Sequence, residues 1–492
     1  MERTHSQPHV VIVGGGISGL AAAFALRDEP VRVTVLEGSP RLGGKLSVSE
    51  VGGVAVDEGA EALLVTRPEG TALIAEAGLA DQRTVPGPTS SAIWTLGALR
   101  PLPRRQFMGV PSDLAELARS GVLSGDGVAR ARQDLELPAT ERDGDVPVAR
   151  YIGARLGAEV VDRLVDPLLG GVYAGRSAEL SFDATLPALS AASRRHRSLA
   201  EAAGSLLPPP PAGTSGATAP GTRAGGSVFT SLDGGLGMLP DWLAKASGAE
   251  VRTSAVVREL APAAAGWRLT VGSAAAPERI DADAVIVAIP ARPAGRLLAA
   301  VPGASAAVTA LGDISYASMA IVTLAYPRSA FPAPGLASLG WSGYLVPAVD
   351  GRAVKAVTFS SVKWPHLART SAGGEDPLEI VRCSVGRIGE EAILQRPDEE
   401  LAALAAAELA EATGVRGGPA ASRVSRWGGA LPQYTVGHLD RVAAIRAAVA
   451  AQPGLAICGA AYDGVGVPAC IGTARTAVSQ VLAFLAARPP AA

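Results

Sequence analysis

The feature that most constrains the fold of this 492-residue chain is a glycine-rich turn placed directly after a short apolar run. Residues His9–Val13 have the composition of a buried parallel strand, and residues 17–27, rich in Ala and Leu, have the pattern of a helix. The turn between them is Gly14-Gly15-Gly16-Ile17-Ser18-Gly19. A second apolar run at 31–36 completes a βαβ unit, which predicts an α/β fold built on a parallel sheet.

The spacing Gly14-x-Gly16-x-x-Gly19 predicts a dinucleotide-binding loop. Gly14 permits a tight turn, Gly16 lets the backbone approach a pyrophosphate, and Gly19 allows the helix to pack closely on the strand. The helix N-terminus then offers free N–H groups and a positive dipole to the phosphates. Glu37 follows the second strand, 18 residues after Gly19, where a carboxylate can accept hydrogen bonds from a ribose diol. The alternative is a glycine-rich turn in some other α/β protein.

Three more segments extend this hypothesis. Residues 41–45, RLGGK, follow Glu37 directly, and their cations and glycines could meet the same pyrophosphate. Residues 57–61, DEGAE, form a charged turn. Residues 459–468 follow a predicted buried strand at 455–459 and open a final helix at about 469–487. Because a helix N-terminus again faces a glycine-rich loop, this segment suits the electron-rich edge of an isoalloxazine, although an ordinary βα turn is the alternative.

Composition excludes several other classes of function. Lys+Arg total 44 and Asp+Glu 46, so the net charge of −2 provides no basic field for nucleic acid. The three cysteines are widely spaced, which indicates neither a disulfide framework nor a zinc site and is typical of the cytoplasm. The first ten residues lack a secretory or transit pattern. Pro, Gly or charge interrupts the apolar stretches, so we expect no transmembrane segment.

The remaining sequence predicts further helices and strands and one long loop. Residues 113–155 have amphipathic helical patterns, and the Pro/Gly-rich segment 204–226 predicts a mobile loop. Residues 251–260 and 267–271 have the pattern of paired strands, and 284–289 that of a buried strand. The further predictions are strands at 315–326 and 354–360 in a broader sheet, and a helix at 399–413.

Three further segments make the chain resemble a known family. Residues 166–175 (DPLLGGVYAG), 431–438 (LPQYTVGH) and 462–471 (YDGVGVPACI) occur together with the loops above. This combination resembles the monoamine oxidase and protoporphyrinogen oxidase superfamily of flavoproteins. Within it, the chain is most similar to the bacterial porphyrinogen oxidases, and above all to actinobacterial coproporphyrinogen III oxidases. The resemblance covers nearly the whole chain.

The resemblance implies an α/β fold with three parts. A Rossmann-like FAD-binding domain would comprise residues 1–85, 225–293 and 425–492. A discontinuous substrate domain with an antiparallel sheet would comprise 86–100, 177–224 and 294–424, and a helical domain 101–176. FAD would be bound non-covalently, because Cys470 stands at a helix start rather than in a tethering loop.

The resemblance also implies the residues of the site. The FAD contacts would be Gly14, Gly15, Gly16, Ile17, Ser18, Gly19, Glu37, Lys45, Gly59, Ala60, Glu61, Ala62, the backbone of Val256, Trp427, Val465, Gly466 and Val467. The macrocycle would lie by Tyr173, Ala174, Gly175 and Arg176. We expect no metal and no catalytic side chain, because hydride transfer to flavin N5 needs no side-chain nucleophile. His438 is expected to be structural.

The activity implied is an O₂-dependent oxidation of coproporphyrinogen III to coproporphyrin III in haem biosynthesis, with three H₂O₂ released. The alternatives are a protoporphyrinogen IX oxidase, an amine oxidase or carotenoid-type desaturase of the same fold, and a non-catalytic flavin-binding scaffold. Trp427 and Tyr462 could imitate the aromatic pair of an amine oxidase. A cytoplasmic location is expected, with peripheral membrane contact and a transient contact with the next haem-pathway enzyme both left open.

Overall fold

The computed structural model describes residues 7–87, 90–209, 227–370 and 376–488. Its β-strands run in chain order as follows: β1 (His9–Val13), β2 (Arg32–Leu36), β3 (Val48–Val51), β4 (Val54–Asp57), β5 (Leu63–Leu64), β6 (Arg83–Thr84), β7 (Ala92–Thr95), β8 (Ala98–Pro101), β9 (Gln106–Phe107), β10 (Val110–Pro111), β11 (Phe229–Leu232), β12 (Glu250–Arg252), β13 (Val257–Ala263), β14 (Gly266–Ser273), β15 (Ala276–Ala282), β16 (Ala284–Val287), β17 (Tyr316–Pro327), β18 (Gly343–Leu345), β19 (Val354–Phe359), β20 (Leu378–Val385), β21 (Ala421–Pro432) and β22 (Leu455–Ile457).

The α-helices of the described residues are, in chain order, α1 (Ile17–Ala25), α2 (Pro68–Glu76), α3 (Leu114–Ser120), α4 (Gly125–Arg132), α5 (Val148–Leu156), α6 (Ala158–Val160), α7 (Asp166–Tyr173), α8 (Phe182–Thr185), α9 (Pro187–Ser193), α10 (Leu199–Ser205), α11 (Leu239–Ala246), α12 (Ala291–Leu298), α13 (Ser305–Gly312), α14 (Ser360–Lys363), α15 (Pro365–Thr370), α16 (Asp398–Thr413), α17 (His438–Ala450) and α18 (Val467–Ala487). They include an unbroken series, α3 to α10, between β10 and β11.

The first layer is a five-stranded parallel sheet in the order β12-β2-β1-β16-β22. Its central strand β1 is apolar and pairs in parallel with β2 and β16, so it is buried on both faces. The strands come from three distant parts of the chain. The predicted Rossmann-like unit is therefore confirmed, and it is assembled from discontinuous segments.

The second layer is a seven-stranded sheet in the order β21-β17-β20-β19-β18-β7-β8. Its pairs are antiparallel except for β18 with β7. On one face, side chains such as Val322, Phe359 and Leu401 form a core with helix α16. The long strands predicted at 315–326 and 354–360 are confirmed as β17 and β19.

The predicted strand at 251–260 is wrong in one respect, because it is two strands in different sheets. β12 pairs in parallel with β2, whereas β13 forms an antiparallel hairpin with β14. Between them the backbone of Ser254 adopts a positive φ of 52°, and its N–H donates to Ser39 O. This left-handed residue turns the chain out of the first sheet, which the local apolar pattern did not reveal.

A third core lies among the helices. The predicted helical stretch 113–155 consists of α3, α4 and α5. Phe182 and Leu189, on helices that we predicted to belong to the substrate domain, are buried in the same core as Ile152 and Leu164. The domain boundaries themselves stay a prediction. Within the Pro/Gly-rich segment, α10 extends to Ser205, and residues 210–226 lie outside the described residues.

Helix α18 departs from the expectation that every apolar stretch is interrupted. Among the described residues it is the one helix long and apolar enough to cross a membrane, and somewhat less than half of its apolar part is buried inside the protein. Ile471, Ala474 and Val481 on its buried face pack into the core of the parallel sheet. This packing accounts for its apolar character as that of a core helix.

Candidate active site

The glycine-rich loop is tightly packed against protein atoms at Gly14 and Gly19 but is open at Gly16. A Cβ at Gly19 would lie 1.9 Å from Gly14 O, and a Cβ at Gly14, where φ is +109°, would lie 2.6 Å from Ala288 O. By contrast, a Cβ at Gly16 would have no protein atom within 4 Å. Gly14 and Gly19 are therefore required by the protein's own packing, whereas Gly16 faces space that a ligand can approach.

Two helix N-termini, those of α1 and α18, come to this space. α1 begins after Gly16 and α18 after Gly466, and neither has a side-chain cap or an acidic residue in its first turn. Their first N–H groups and positive dipole ends are therefore available to an anion or an electron-rich ring edge. The predicted contacts Gly16, Gly466 and Val467 lie at these two ends.

Lys45 supplies a positive charge at the same place. Burial lowers the pKa of Lys45, and in the described part of the chain it forms no ion pair. Cys470, at the start of α18, lies close enough to interact with both Lys45 and the Ser18 side chain, and burial raises the pKa of its thiol. A half-buried cation with no counter-charge among the described residues, beside two uncapped helices, fits the pyrophosphate of FAD.

Glu37 forms a direct hydrogen bond with the glycine-rich loop. Its carboxylate accepts hydrogen bonds from the N–H groups of Gly15 and Ser39, each at 2.7 Å. Gly43 N–H donates to Gly15 O at 2.8 Å, so the predicted RLGGK turn is joined to the same loop. The structure therefore shows Glu37 holding the glycine-rich loop in place, and its contact with a ribose stays a prediction.

The turn at Gly59 brings Trp427 to Lys45. A Cβ at Gly59 would lie 1.9 Å from Lys45 O and 3.4 Å from the Trp427 ring. Trp427 Nε1 donates to Glu58 O at 3.0 Å. Three predicted cofactor residues, Lys45, Gly59 and Trp427, therefore meet, although Trp427 is more than 360 positions further along the chain.

Glu61 is held by two cations of the second sheet region. Lys363 Nζ lies 2.6 Å from one carboxylate oxygen, and Arg382 binds the other and also donates to Gly59 O at 2.6 Å. Burial alone would raise the pKa of Glu61, but Lys363 and Arg382 outweigh it and hold that pKa at about 2. Its carboxylate is therefore engaged by protein, and a direct contact of Glu61 with FAD stays a prediction.

The predicted FAD contacts Val256, Val465 and Val467 lie in different parts of the structure. Val256 is exposed beside Gly38 and accepts a hydrogen bond from Gly272 N–H through its carbonyl. Val465 packs against the helical core, whereas Val467 is buried in the core of the parallel sheet. The end of the loop at 459–466 thus leads from the core of the helical region to the core of the parallel sheet.

The predicted substrate segment, residues 173–176, begins at the last residue of α7. Ala174 adopts a positive φ of 49°, and a Cβ at Gly175 would lie 2.2 Å from Gln433 Oε1. Burial raises the pKa of Tyr173 to about 12. Arg176 is paired with Glu390 at 2.6 Å, so its charge is already compensated.

Sequence reasoning missed Arg67. Its guanidinium donates to Asp463 O at 3.3 Å in the glycine-rich loop, and its charge is close enough to oppose the rise in the pKa of Tyr173. Arg67 is exposed and forms no ion pair with a described residue. No local pattern distinguishes this arginine, which precedes Pro68, from an ordinary surface residue.

His438 lies in the interior. It is fully buried and stacks on Tyr434 with ring centroids 3.7 Å apart. Burial, assisted by the charge of Arg441, lowers the pKa of His438 to about 4, so the ring is neutral at pH 7. Its surroundings are those of a packing residue.

Comparison with known proteins agrees with this geometry. Residues 17–482 match the family of flavin-containing amine oxidoreductases. Coproporphyrinogen III oxidase of Mycobacterium tuberculosis is 38% identical over 484 residues, covering 97% of this chain and 98% of that protein. Its Bacillus subtilis counterpart is 31% identical over 485 residues, covering 97% and 98%.

Solved structures agree as well. A crystal structure from Exiguobacterium sp. 255-15, provisionally named a protoporphyrinogen oxidase, superposes with a TM-score of 0.82 at 30% identity, covering 98% of this chain and 99% of that one. Putrescine oxidase, at 19% identity and a TM-score of 0.66, shares the fold, with 97% of this chain and 99% of that one covered. FAD is the cofactor that this relationship implies, as predicted. The chain belongs to the flavin-containing amine oxidoreductase family.

Proposed function

We propose that this protein is an FAD-dependent coproporphyrinogen III oxidase of haem biosynthesis. The observation that carries the proposal is full-length similarity, at 31–38% identity, to coproporphyrinogen III oxidases of mycobacteria and Bacillus. The geometry supports it, because the flavin-binding segments meet beside the substrate segment. FAD, when bound, supplies two-electron oxidation and passes the electrons to O₂.

The protein's own residues hold the reactants. The N-termini of α1 and α18, together with Lys45, would receive the pyrophosphate and the flavin edge. Tyr173 and its neighbours at the end of α7 would form a wall for the macrocycle. Conversion of a porphyrinogen to a porphyrin removes six electrons and six hydrogens, so it consumes three O₂ and releases three H₂O₂.

The substrate assignment predicts a defined stoichiometry and preference. Aerobic turnover should release about three H₂O₂ per porphyrin formed, from the electron balance above, and anaerobic mixing with coproporphyrinogen III should bleach the flavin absorbance. The value of kcat/KM should be higher for coproporphyrinogen III than for protoporphyrinogen IX under identical salt and detergent.

Protoporphyrinogen IX oxidation is the second candidate, because the similar Exiguobacterium structure carries that name. A higher kcat/KM for protoporphyrinogen IX would support it and overturn the coproporphyrinogen assignment. No bleaching with either tetrapyrrole, but rapid bleaching with amines, would overturn both.

Arg67 is the residue that best fits a carboxylate of the substrate. Its guanidinium forms no ion pair with a described residue, donates to Asp463 O in the glycine-rich loop, and is close enough to Tyr173 to affect the pKa of that residue. Coproporphyrinogen has four propionates and protoporphyrinogen two, and a carboxylate in a cavity needs a cation or water. Because guanidinium binds carboxylate in bidentate fashion, Arg67 could hold one propionate.

Arg67→Gln is therefore expected to raise KM for coproporphyrinogen III about fivefold, since a partly solvated ion pair contributes about 1 kcal/mol. Added salt should reduce the difference in KM between the variant and the parent protein, because it screens the ion pair between Arg67 and the propionate. Arg119, which is exposed in the last turn of α3, is the matched control, and Arg119→Gln should leave KM unchanged. Equal KM values for the Arg67 variant and the parent protein would remove Arg67 from the substrate site.

Location and partners are separate proposals. We propose a cytoplasmic enzyme, supported by three cysteines that are all free and buried. Peripheral membrane contact and a transient complex with the next enzyme of the pathway remain part of the same proposal.

A further inference from the structure

Tyr434 connects the two ends of the glycine-rich loop that opens α18. Its hydroxyl donates to Ala460 O at 2.6 Å and accepts from Gly464 N–H at 2.8 Å. The side chain is 2% exposed, so both hydrogen bonds are shielded from water. Gly464 has a φ of +133°, a conformation open to glycine but not required by it, so contacts from outside the loop have to select it.

The ring of Tyr434 faces the predicted substrate segment. It lies 5.5 Å from the ring of Tyr173, centroid to centroid, and it also stacks on the ring of His438. The neighbouring Gln433 donates from Nε2 to Tyr173 O at 2.7 Å. Two consecutive residues after β21 therefore contact the substrate segment and the glycine-rich loop at the same time.

The backbone of the same residues is also anchored. Ser181 N–H, in the helical region, donates to Tyr434 O at 2.7 Å, and Gln433 N–H donates to Ser315 O at 2.9 Å. The backbone at Gln433 and Tyr434 is thus fixed by hydrogen bonds to the helical region and to the residue before β17, independently of the contacts that the Tyr434 side chain makes with the loop. A side chain fixed at both its backbone and its ring can impose a position on a flexible glycine-rich segment.

Tyr434 is not placed to move protons. Burial raises the pKa of Tyr434 above its ordinary value, so the phenol stays protonated. Its proton is already donated to Ala460 O. The hydroxyl therefore acts through its hydrogen bonds, and through the loop that those bonds hold.

We propose that Tyr434 is a positioning residue. Its hydroxyl holds the loop at 459–466, and with it the N-terminus of α18, in place against the flavin. It also fixes the position of this loop relative to the substrate segment at Tyr173. The proposal rests on the assignment of this loop to the flavin, and it adds a residue that acts on the reaction through the loop. If the proposal is right, removal of the Tyr434 hydroxyl oxygen changes the surroundings of the flavin more than it changes the affinity for the substrate.

The test compares two tyrosines that differ in hydrogen bonding. Tyr434→Phe keeps the ring and removes both hydrogen bonds. Tyr326→Phe is the matched control, because Tyr326 is fully buried in the core of the second sheet and its hydroxyl has no partner among the described residues. Each holoenzyme is measured for FAD dissociation constant, visible flavin spectrum, kcat and KM.

For Tyr434→Phe we expect a changed flavin absorption envelope and a kcat about tenfold lower, which is the scale of one or two hydrogen bonds. KM should change less than about twofold on the same scale. Tyr326→Phe should match the parent protein in all four measurements. Replacing Tyr434 by 4-aminophenylalanine, which keeps the donor to Ala460 O at the same position, should restore part of kcat and of the spectrum.

The proposal is overturned if Tyr434→Phe keeps the parent spectrum and kcat, if it loses only thermal stability, or if both variants lose activity equally. Failure of the 4-aminophenylalanine protein to recover, in a folded state, also overturns it and keeps the test decisive if the phenylalanine variant does not fold. The FAD affinity and the spectrum require no tetrapyrrole. They therefore test Tyr434 even if the substrate assignment fails.

Discussion

Gly19→Ala is expected to abolish FAD retention and to destabilise the fold, whereas Gly16→Ala is expected to weaken FAD binding alone. A Cβ at Gly19 would lie 1.9 Å from a backbone oxygen, so α1 would have to move away from β1, at a cost of about 3 kcal/mol. A Cβ at Gly16 meets no protein atom and would project into the space required by the pyrophosphate.

Thermal unfolding of the apoproteins and FAD titration separate the two effects. Gly16→Ala should unfold like the parent apoprotein but bind FAD at least tenfold more weakly, the equivalent of about 1.4 kcal/mol. Gly312→Ala, at the end of α13, is the control, because a Cβ there contacts nothing and φ is not positive. Normal FAD binding by Gly19→Ala would show that the loop is not the cofactor site.

Arg382→Met is expected to lower the free energy of unfolding by about 3 kcal/mol, because it leaves the carboxylate of Glu61 with one cation in place of two. Urea unfolding of the holoproteins measures this difference. The control is Arg475→Met, which breaks the exposed pair with Glu76 and should change stability little. Equal losses in the two variants would mean that the two-cation arrangement contributes no more than a surface pair.

The same site predicts how stability depends on pH. The pKa of Glu61 is about 2 in the folded protein, below its ordinary value of 4.5. Its contribution is therefore fully present above pH 4.5 and is lost as the pH falls towards 2, amounting to about 3 kcal/mol. Glu61→Gln should flatten the unfolding free energy over this range, and an unchanged slope would contradict the assignment.

Local sequence was sufficient for the cofactor-binding unit. The strand, the glycine spacing and the acidic residue at 37 lie within 40 residues, and each acts through contacts with near neighbours in the chain. Long, strongly patterned elements such as β17 and α16 were also predictable. The short strand β12 was not, because an apolar pattern does not say which sheet a strand will join.

The sequence by itself determined the α/β class, the dinucleotide loop and, through its motifs, the family. Only the tertiary structure decided what surrounds each site residue. Glu61 meets Lys363 and Arg382 across more than 300 positions, and Arg67 meets Asp463 across almost 400. The Tyr434 hydroxyl likewise reaches a loop built on another strand. Charge compensation and loop position arise from these long-range contacts, which exist only once separate segments have packed, so no local pattern encodes them.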